Sequence, residues 1–232
     1  MSVPQLPLAL RYPPDQRLEN FIAAPAGAIA QLQKLAEAPN ADWLFLAGAS
    51  GTGKSHLAIA LCAAAEQAGR RAAYLPLAAA AGRLDQALQS IEQSDVAALD
   101  GLEAIAGHRT DEVALFDFHN RARGTGLNLL YVARDVPKAL GLALPDLVSR
   151  LSQCNQVSLQ PLDDAARAEV LRERALRRGL AMDQAALDWL LVHADRNLVG
   201  LTALLDRLDR ESLAAQRRVT VPFLRSLLER GA

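Results

Sequence analysis

Short apolar runs alternate with longer amphipathic stretches over the first two thirds of the chain. Five of these runs have the length and composition of buried strands, and we predict strands at residues 43–47, 71–77, 96–100, 127–133 and 156–159. The stretches between them have helical spacing, which predicts helices at 56–68, 81–92, 112–123 and 145–151. This alternation predicts an α/β fold, a parallel five-stranded sheet with helices on both faces.

The pattern changes after Pro161, where the strand signal stops. The rest of the chain has helical spacing, with helices predicted at 163–178, 183–194, 197–216 and 222–228. We therefore predict three parts: an N-terminal arm and linker at 1–17, an α/β domain at 18–160 and a small all-helical domain at 161–232.

A phosphate-binding loop joins the first predicted strand to the first predicted helix. Residues 48–55 have the sequence Gly-Ala-Ser-Gly-Thr-Gly-Lys-Ser. In this pattern glycines let backbone N–H groups point at a phosphate, the lysine reaches the β and γ phosphates, and the serine ligates Mg²⁺. The sequence therefore predicts a site for ATP or ADP with Mg²⁺, with nucleotide contacts from Gly48, Ser50, Gly51, Thr52, Gly53, Lys54, Ser55 and His56.

The third predicted strand supplies a second candidate metal ligand. It ends in Asp100, and a carboxylate at the carboxyl end of a buried strand lies beside the phosphate loop, where it can hold Mg²⁺ or a water of its shell. Many ATPases of this architecture place a second acid directly after that aspartate to activate water, but here the position is Gly101. Glu103 lies two residues further on, and we assign it no role. Efficient intrinsic hydrolysis is not expected.

Composition and charge narrow the choice of partners. A hydrophobic fraction of 51% provides for a packed core, whereas a net charge of −1 and an aromatic fraction of 4% disfavour direct binding to nucleic acid. Cys62 and Cys154 lack the spacing of metal ligands, and no apolar run approaches the roughly 20 residues that cross a bilayer. The start of the chain does not resemble a secretion signal. We expect a cytoplasmic protein without a membrane role.

Taken together, these segments resemble the DnaA-related AAA+ ATPases over nearly the whole chain. Residues 18–21, Leu-Glu-Asn-Phe, are similar to the family's entry segment, which implies nucleotide contacts from Phe21 and Ile22. Residues 99–107 resemble its Walker B segment. Asp135 matches the first sensor position, and residues 147–151, Leu-Val-Ser-Arg-Leu, resemble the stretch that carries the arginine finger, which implies that role for Arg150. The helical domain then corresponds to the family's lid.

Within this family the chain is similar to the regulatory branch that inactivates DnaA. Its N-terminus resembles that branch's binding peptide for the β sliding clamp of DNA polymerase, with candidate contacts from Gln5, Leu6, Leu8 and Leu10. The resemblance implies DnaA and the clamp as partners, with DNA contacted only through the clamp. It also implies a protein that holds ADP and stimulates ATP hydrolysis by DnaA through Arg150. Homo-oligomerisation is left open.

One departure from the family's pattern bears on the mechanism. Val199 stands where the second sensor has an arginine, and Arg196 lies nearly a turn away. Together with Gly101, this favours a protein that holds its nucleotide over a motor that cycles on its own ATP. The main alternative is a helicase-loader-like or independent ATPase that acts on single-stranded DNA, and a small-molecule kinase is a further one.

Overall fold

A computed structural model of the chain describes residues 16–177, 179–180, 182–193, 204, 208 and 219–229. The candidate clamp-binding residues Gln5, Leu6, Leu8 and Leu10 lie outside the described residues, as do Arg196 and Val199. Among the described residues, no helix is both long enough and apolar enough to span a bilayer.

The centre of the fold is a five-stranded sheet in which all strand pairs are parallel and the strand order is β2-β3-β4-β1-β5. The strands are β1 Leu44–Gly48, β2 Ala72–Pro76, β3 Val96–Asp100, β4 Asn128–Ala133 and β5 Asn155–Leu159. The predicted fold class is therefore confirmed, and each predicted strand is found within one residue of its predicted ends.

Helices cover both faces of this sheet. They are α1 Ala28–Glu37, α2 Lys54–Gln67, α3 Leu77–Ala80, α4 Leu84–Ile91, α5 Arg109–Ala122 and α6 Pro145–Ser152. Because side chains alternate along a strand, Phe45 and Leu99 enter a core with α4, α5 and α6, whereas Leu46 and Ala98 enter a second core with α1 and α2.

Helix α1 is absent from the sequence-based prediction. Its buried residues Ala28, Leu32 and Leu35 follow helical spacing, so the signal was present in the sequence. Its last carbonyls are bound from distant parts of the chain. Buried Asn128 donates to Leu35 and Ala38, and Arg70 donates to Leu35, Ala36 and Ala38. Such long-range capping satisfies a helix end in a way that local sequence does not reveal.

Three described helices follow the sheet, as the prediction of an all-helical lid requires. They are α7 Asp164–Arg177, α8 Gln184–His193 and α9 Val221–Glu229. They share a separate apolar core that includes Leu171, Leu190 and Leu224. Leu208, from the predicted helix 197–216, is fully buried in the same core.

Candidate nucleotide site

The phosphate loop leaves the carboxyl end of β1 and ends where α2 begins at Lys54. Gly53 has φ = 90°, a left-handed conformation that favours glycine. A Cβ on Gly48 would lie 2.8 Å from both the Leu159 carbonyl oxygen and Thr52 Oγ1, so the space there also requires glycine. Thr52 Oγ1 donates to the Ala49 carbonyl at 2.9 Å and closes the loop. These constraints fix the shape of the loop in front of the α2 N-terminus, where backbone N–H groups can bind an anion.

Lys54 folds back over this loop. Its Nζ donates to the Gly48 carbonyl at 2.6 Å and to the Ala49 carbonyl at 2.8 Å. Burial lowers the pKa of Lys54, and the nearby carboxylates of Glu103 and Asp100 oppose that shift. The ammonium therefore binds the loop carbonyls and lies near two acids.

The candidate Mg²⁺ ligands are Ser55, in the first turn of α2, and Asp100, the last residue of β3. Tyr74 donates its Oη–H to Asp100 Oδ2 at 2.7 Å. Both candidate ligands are hard oxygen donors, which Mg²⁺ prefers. No group of three His, Cys, Asp or Glu side chains in the described ranges could hold a metal by itself. This fits Mg²⁺, which is usually held by one or two protein oxygens, water and the phosphates of a nucleotide.

After Asp100 the chain turns into a short 3-10 helix, Leu102–Ala104. Glu103 Oε2 accepts the backbone N–H of Arg134, just beyond β4, at 3.1 Å. The carboxylate is therefore fixed at the carboxyl ends of β3 and β4, close enough to Lys54 to affect its pKa. Sequence reasoning gave Glu103 no role because the spacing alone did not reveal this turn. The predicted sensor residue Asp135 is exposed, and its Oδ1 accepts the Val136 N–H at 2.8 Å.

A small cavity of about 40 Å³ lies beside the loop, between the loop and the lid. Phe21 packs so closely on Gly53 that a Cβ there would lie 2.6 Å from Cε2 of the ring. The Phe21 and His56 ring centroids are 5.6 Å apart, and Arg174 Nη2 lies 3.4 Å from His56 Nδ1. The lining brings together predicted residues and a lid wall that sequence reasoning missed: Asn20, Phe21, Ile22, Thr52, Gly53 and His56, with Leu162, Val170, Glu173, Arg174 and Arg177.

Arg150 lies elsewhere. We call the sheet edge with the phosphate loop the carboxyl edge and the edge where the strands begin the amino edge. Helix α6 connects the carboxyl end of β4 to the amino end of β5, so its sixth residue, Arg150, lies towards the amino edge. Five-residue strands separate the two edges by about 13 Å. Arg150 therefore cannot reach the phosphate loop of its own chain.

The neighbours of Arg150 agree with this position. Its carbonyl lies 3.8 Å from Cys154 Sγ, and Cys154 lines a cavity of about 430 Å³ together with Trp43 and Asn155 at the starts of β1 and β5. Burial, and then the charges of Arg123 and Arg150, lower the pKa of His119 to about 4. Arg150 itself remains partly exposed to solvent.

The start of α6 is held by a buried carboxylate. Glu112, fully buried in α5, accepts backbone N–H groups from Gly107 at 2.8 Å, Ala143 at 2.9 Å and Leu144 at 2.7 Å. Leu144 is the residue that precedes α6. Glu112 thus fixes the origin of the helix that carries Arg150, a role that no local motif indicates.

Comparison with known structures shows the same fold. Domain III of DnaA from Thermotoga maritima matches with a TM-score of 0.78 and 22% identity, covering 95% of this chain and 98% of that one. AMPPCP-bound DnaA from Aquifex aeolicus matches with a TM-score of 0.70 and 22% identity over 85% of this chain and 66% of that one. The RuvB Holliday junction branch migration motor of Thermotoga maritima matches with a TM-score of 0.66 and 18% identity over 94% and 72%.

Two family models match different parts of the sequence. The model described as "Hda, lid domain" matches residues 164–228, which contain the three described lid helices. The model described as "IstB-like ATP binding protein" matches residues 12–131, more than half of the chain, including the phosphate loop and Asp100. The chain therefore belongs to the IstB-like ATP-binding protein family and is an AAA+ protein related to Hda and DnaA.

Proposed function

We propose that this protein is a DnaA-related regulator that inhibits the initiation of DNA replication, by holding ADP or ATP with Mg²⁺ and delivering Arg150 to ATP bound on a neighbouring DnaA. The separation of Arg150 from its own phosphate loop carries this proposal. An arginine that cannot reach the nucleotide of its own chain, yet is partly exposed on a well-anchored helix, suits action on a second protomer.

The physical role of Arg150 follows from phosphoryl-transfer chemistry. Charge develops on the transferred γ-phosphate and on the leaving oxygen, and a guanidinium placed there stabilises the transition state. Arginine fingers supplied in trans contribute about 10³- to 10⁵-fold in rate. This chain would supply the guanidinium, while DnaA would supply the bound ATP, Mg²⁺ and attacking water.

The nucleotide held by this chain has a separate role. Lys54 would pair with the β and γ phosphates, and Ser55 and Asp100 would hold Mg²⁺, which neutralises phosphate charge when bound. The cavity beside the loop is lined from both the α/β part and the lid. A nucleotide bound there would contact Phe21 on one side and Arg174 on the other. Nucleotide binding would thus fix the angle between the two parts.

The first test measures hydrolysis of ATP preloaded on DnaA, with the β sliding clamp loaded on DNA. Wild-type protein should stimulate hydrolysis, and Arg150→Ala should lose at least about 10³-fold of that stimulation. Arg121→Ala is a matched control, because Arg121 is an exposed arginine of α5 paired with Glu92. Equal stimulation by wild type and Arg150→Ala would show that Arg150 does not act as an arginine finger.

The proposed clamp contact rests on the N-terminal peptide. An extended arm can bury alternate leucines in a partner's groove, which suits Leu6, Leu8 and Leu10. The clamp would also supply the only link to DNA. Gln5→Ala with Leu8→Ala should abolish binding to the clamp in a pull-down and leave ADP affinity unchanged. Unchanged clamp affinity in that variant would refute this part of the proposal.

One observation favours the alternative of an ATPase that hydrolyses its own ATP. Glu103 is fixed near Lys54 and Asp100, where a carboxylate can orient water. Purified protein without DnaA separates the two functions. The inactivator hypothesis predicts negligible turnover that Glu103→Gln does not change. Turnover stimulated by single-stranded DNA and abolished by Glu103→Gln would instead support the alternative.

A further inference from the structure

Tyr74 belongs to none of the motifs that define the nucleotide site. It is the third residue of the edge strand β2, which pairs with β3 so that Tyr74 is opposite Ala98 and Pro76 is opposite Asp100. Residues two apart on a strand share a face, so Tyr74 lies on the face of the sheet to which Asp100 points. That face is covered by α2, and the Tyr74 ring packs against the core there.

This placement brings the phenol to the candidate metal site. Tyr74 donates its Oη–H to Asp100 Oδ2 at 2.7 Å, a short bond typical of a charged acceptor. The side chain of Ser55 also interacts with the same phenol. One hydroxyl therefore binds one candidate Mg²⁺ ligand, Asp100, and lies near the other, Ser55, although β3 and α2 carry them on separate elements.

A carboxylate at the end of a strand can rotate about its Cβ–Cγ bond. A hydrogen bond to Oδ2 selects one rotation and leaves Oδ1 free to accept a metal ion or a water of its shell. Partners of this kind, which hold a metal ligand without touching the metal, commonly change metal affinity by about 10- to 100-fold when they are removed.

We propose that Tyr74 is a positioning residue for Mg²⁺: its hydroxyl orients Asp100, and thereby sets how strongly Mg²⁺ strengthens nucleotide binding. The inference rests on the nucleotide site of the proposed function, but it does not depend on DnaA or the clamp. Tyr74→Phe removes one hydroxyl and keeps the ring that packs on the core. It should weaken the effect of Mg²⁺ and leave binding of the nucleotide alone intact.

The experiment measures the affinity for fluorescent N-methylanthraniloyl-ADP in EDTA and across a Mg²⁺ titration. In Tyr74→Phe, the Mg²⁺ concentration that gives half of the full effect should rise about 10-fold or more. The affinity in EDTA should stay within about twofold of the wild-type value. Tyr131→Phe is the matched control, because it also removes one phenol hydroxyl, here a buried one that contacts His119 on the other face of the sheet. It should change neither quantity.

Each other outcome overturns the proposal. A wild-type Mg²⁺ titration in Tyr74→Phe means that the hydroxyl does not position Asp100, and an equal loss in EDTA means that Tyr74 supports the fold or the nucleotide itself. If Mg²⁺ does not change the nucleotide affinity of wild-type protein, the site does not bind Mg²⁺ together with the nucleotide. If Tyr74→Phe gives the expected shift in the Mg²⁺ titration but the protein does not stimulate DnaA, the proposed function is refuted and the role of Tyr74 stands.

A double-mutant cycle gives a second measurement that does not depend on how well one variant folds. In Asp100→Asn the charged acceptor is gone, so adding Tyr74→Phe should change the Mg²⁺ titration by less than about twofold. Independent, multiplicative effects of the two substitutions would show that Tyr74 does not act through Asp100, and would overturn the proposal.

Discussion

The carboxyl and amino edges of the sheet are built from different chemical groups. At the carboxyl edge, a glycine loop is closed by bonds from Lys54 to the Gly48 and Ala49 carbonyls, and Ser55 and Asp100 stand at the start of α2 and the end of β3. At the amino edge, aromatic and polar side chains pack closely around buried His119, and Arg150 lies beside them. The first edge carries the phosphate loop, whereas the second carries a partly exposed arginine on a helix whose start is anchored by Glu112.

This difference explains how one domain could hold its own nucleotide and act on another. Parallel strands place the phosphate loop at their carboxyl ends, and the return helix α6 carries Arg150 back towards their amino ends. The two sites are therefore separated by the length of the sheet. Substitutions at one edge should leave the other edge unchanged, which makes the comparison testable.

The largest expected effect is on the anchor of the arginine helix. Glu112→Ala removes a buried carboxylate and leaves three backbone N–H groups without their acceptor, which should lower the free energy of unfolding by about 3 kcal/mol. Urea unfolding followed by tryptophan fluorescence measures it. Asp146→Asn, at an exposed site in the first turn of α6, is the control and should cost less than about 0.5 kcal/mol. Equal losses in the two variants would show that Glu112 does not anchor α6.

The second-largest effect is expected on ADP affinity, through a substitution at the carboxyl edge alone. Lys54→Ala removes the ammonium that would pair with phosphate, and a charged hydrogen bond of about 1.5–3 kcal/mol corresponds to a loss of about 10- to 150-fold in ADP affinity. Isothermal titration calorimetry measures this. Arg150→Ala serves as the control from the opposite edge and should bind ADP within about twofold of wild type. A similar loss in both variants would mean that the two edges are not independent.

At the amino edge, the third prediction concerns how the free energy of unfolding depends on pH. His119 is neutral near pH 7 when folded, because burial, and then the charges of Arg123 and Arg150, hold its pKa low. Its Nε2 accepts from Arg123 Nε at 3.3 Å, and its Nδ1 lies 2.9 Å from Tyr131 Oη. Its pKa falls from 6.5 to about 4 on folding, so the unfolded chain binds the extra proton as the pH drops below 6.5. Between pH 6.5 and 5 the protein should lose about 1–2 kcal/mol of stability through this group.

The variant His119→Asn checks the assignment. It lacks a group that titrates in this range, so its free energy of unfolding should depend less on pH between 6.5 and 5 than that of wild type. ADP affinity at the carboxyl edge should not follow the same pH dependence. An unchanged pH profile of stability in His119→Asn would show that the loss comes from other groups.

The smallest effect is expected from substitutions of two glycines at the carboxyl edge, which differ in the space around them. Gly101 has φ = 86°, but nothing lies within 4 Å of a Cβ there, so Gly101→Ala should cost only the left-handed strain of about 1–2 kcal/mol. Gly48→Ala meets the Leu159 backbone at 2.8 Å and should also weaken ADP binding, because the loop must move. Thermal unfolding and ADP titration of both variants distinguish strain from lost space. Equal loss of ADP binding would contradict this distinction.

The sequence predicted most of what depends on local pattern. The central strands β1, β3 and β4 were identified because buried parallel strands form short continuous apolar runs, and the phosphate loop was recognisable from its glycines and lysine. The outer strands β2 and β5 are less buried, and their signal was correspondingly shorter or mixed with polar residues. Helix α1 was missed although its spacing was helical, and its ends are satisfied by Arg70 and Asn128 from far along the chain.

The parts of the site that sequence reasoning missed depend on tertiary contacts. Tyr74 reaches Asp100 from a neighbouring strand, Glu103 is directed by a 3-10 turn, and Arg174 reaches the cavity from the lid. None of these follows from spacing along the chain. The role of Arg150 came from resemblance, and the fold adds the reason why it would act on another protomer.

The proposed action of Arg150 on the nucleotide of DnaA can be tested by measuring how tightly this protein binds DnaA·ADP in the presence of aluminium fluoride. Aluminium fluoride with ADP mimics the transferring phosphoryl group. If Arg150 reaches the nucleotide of DnaA, aluminium fluoride should tighten the complex by at least about 10-fold for wild type and not for Arg150→Ala. Lys54→Ala, which should weaken nucleotide binding to this chain, is measured alongside. If this variant still shows the tightening, the nucleotide that responds to aluminium fluoride is the one on DnaA. Equal tightening in wild type and Arg150→Ala, or none in either, would contradict the account.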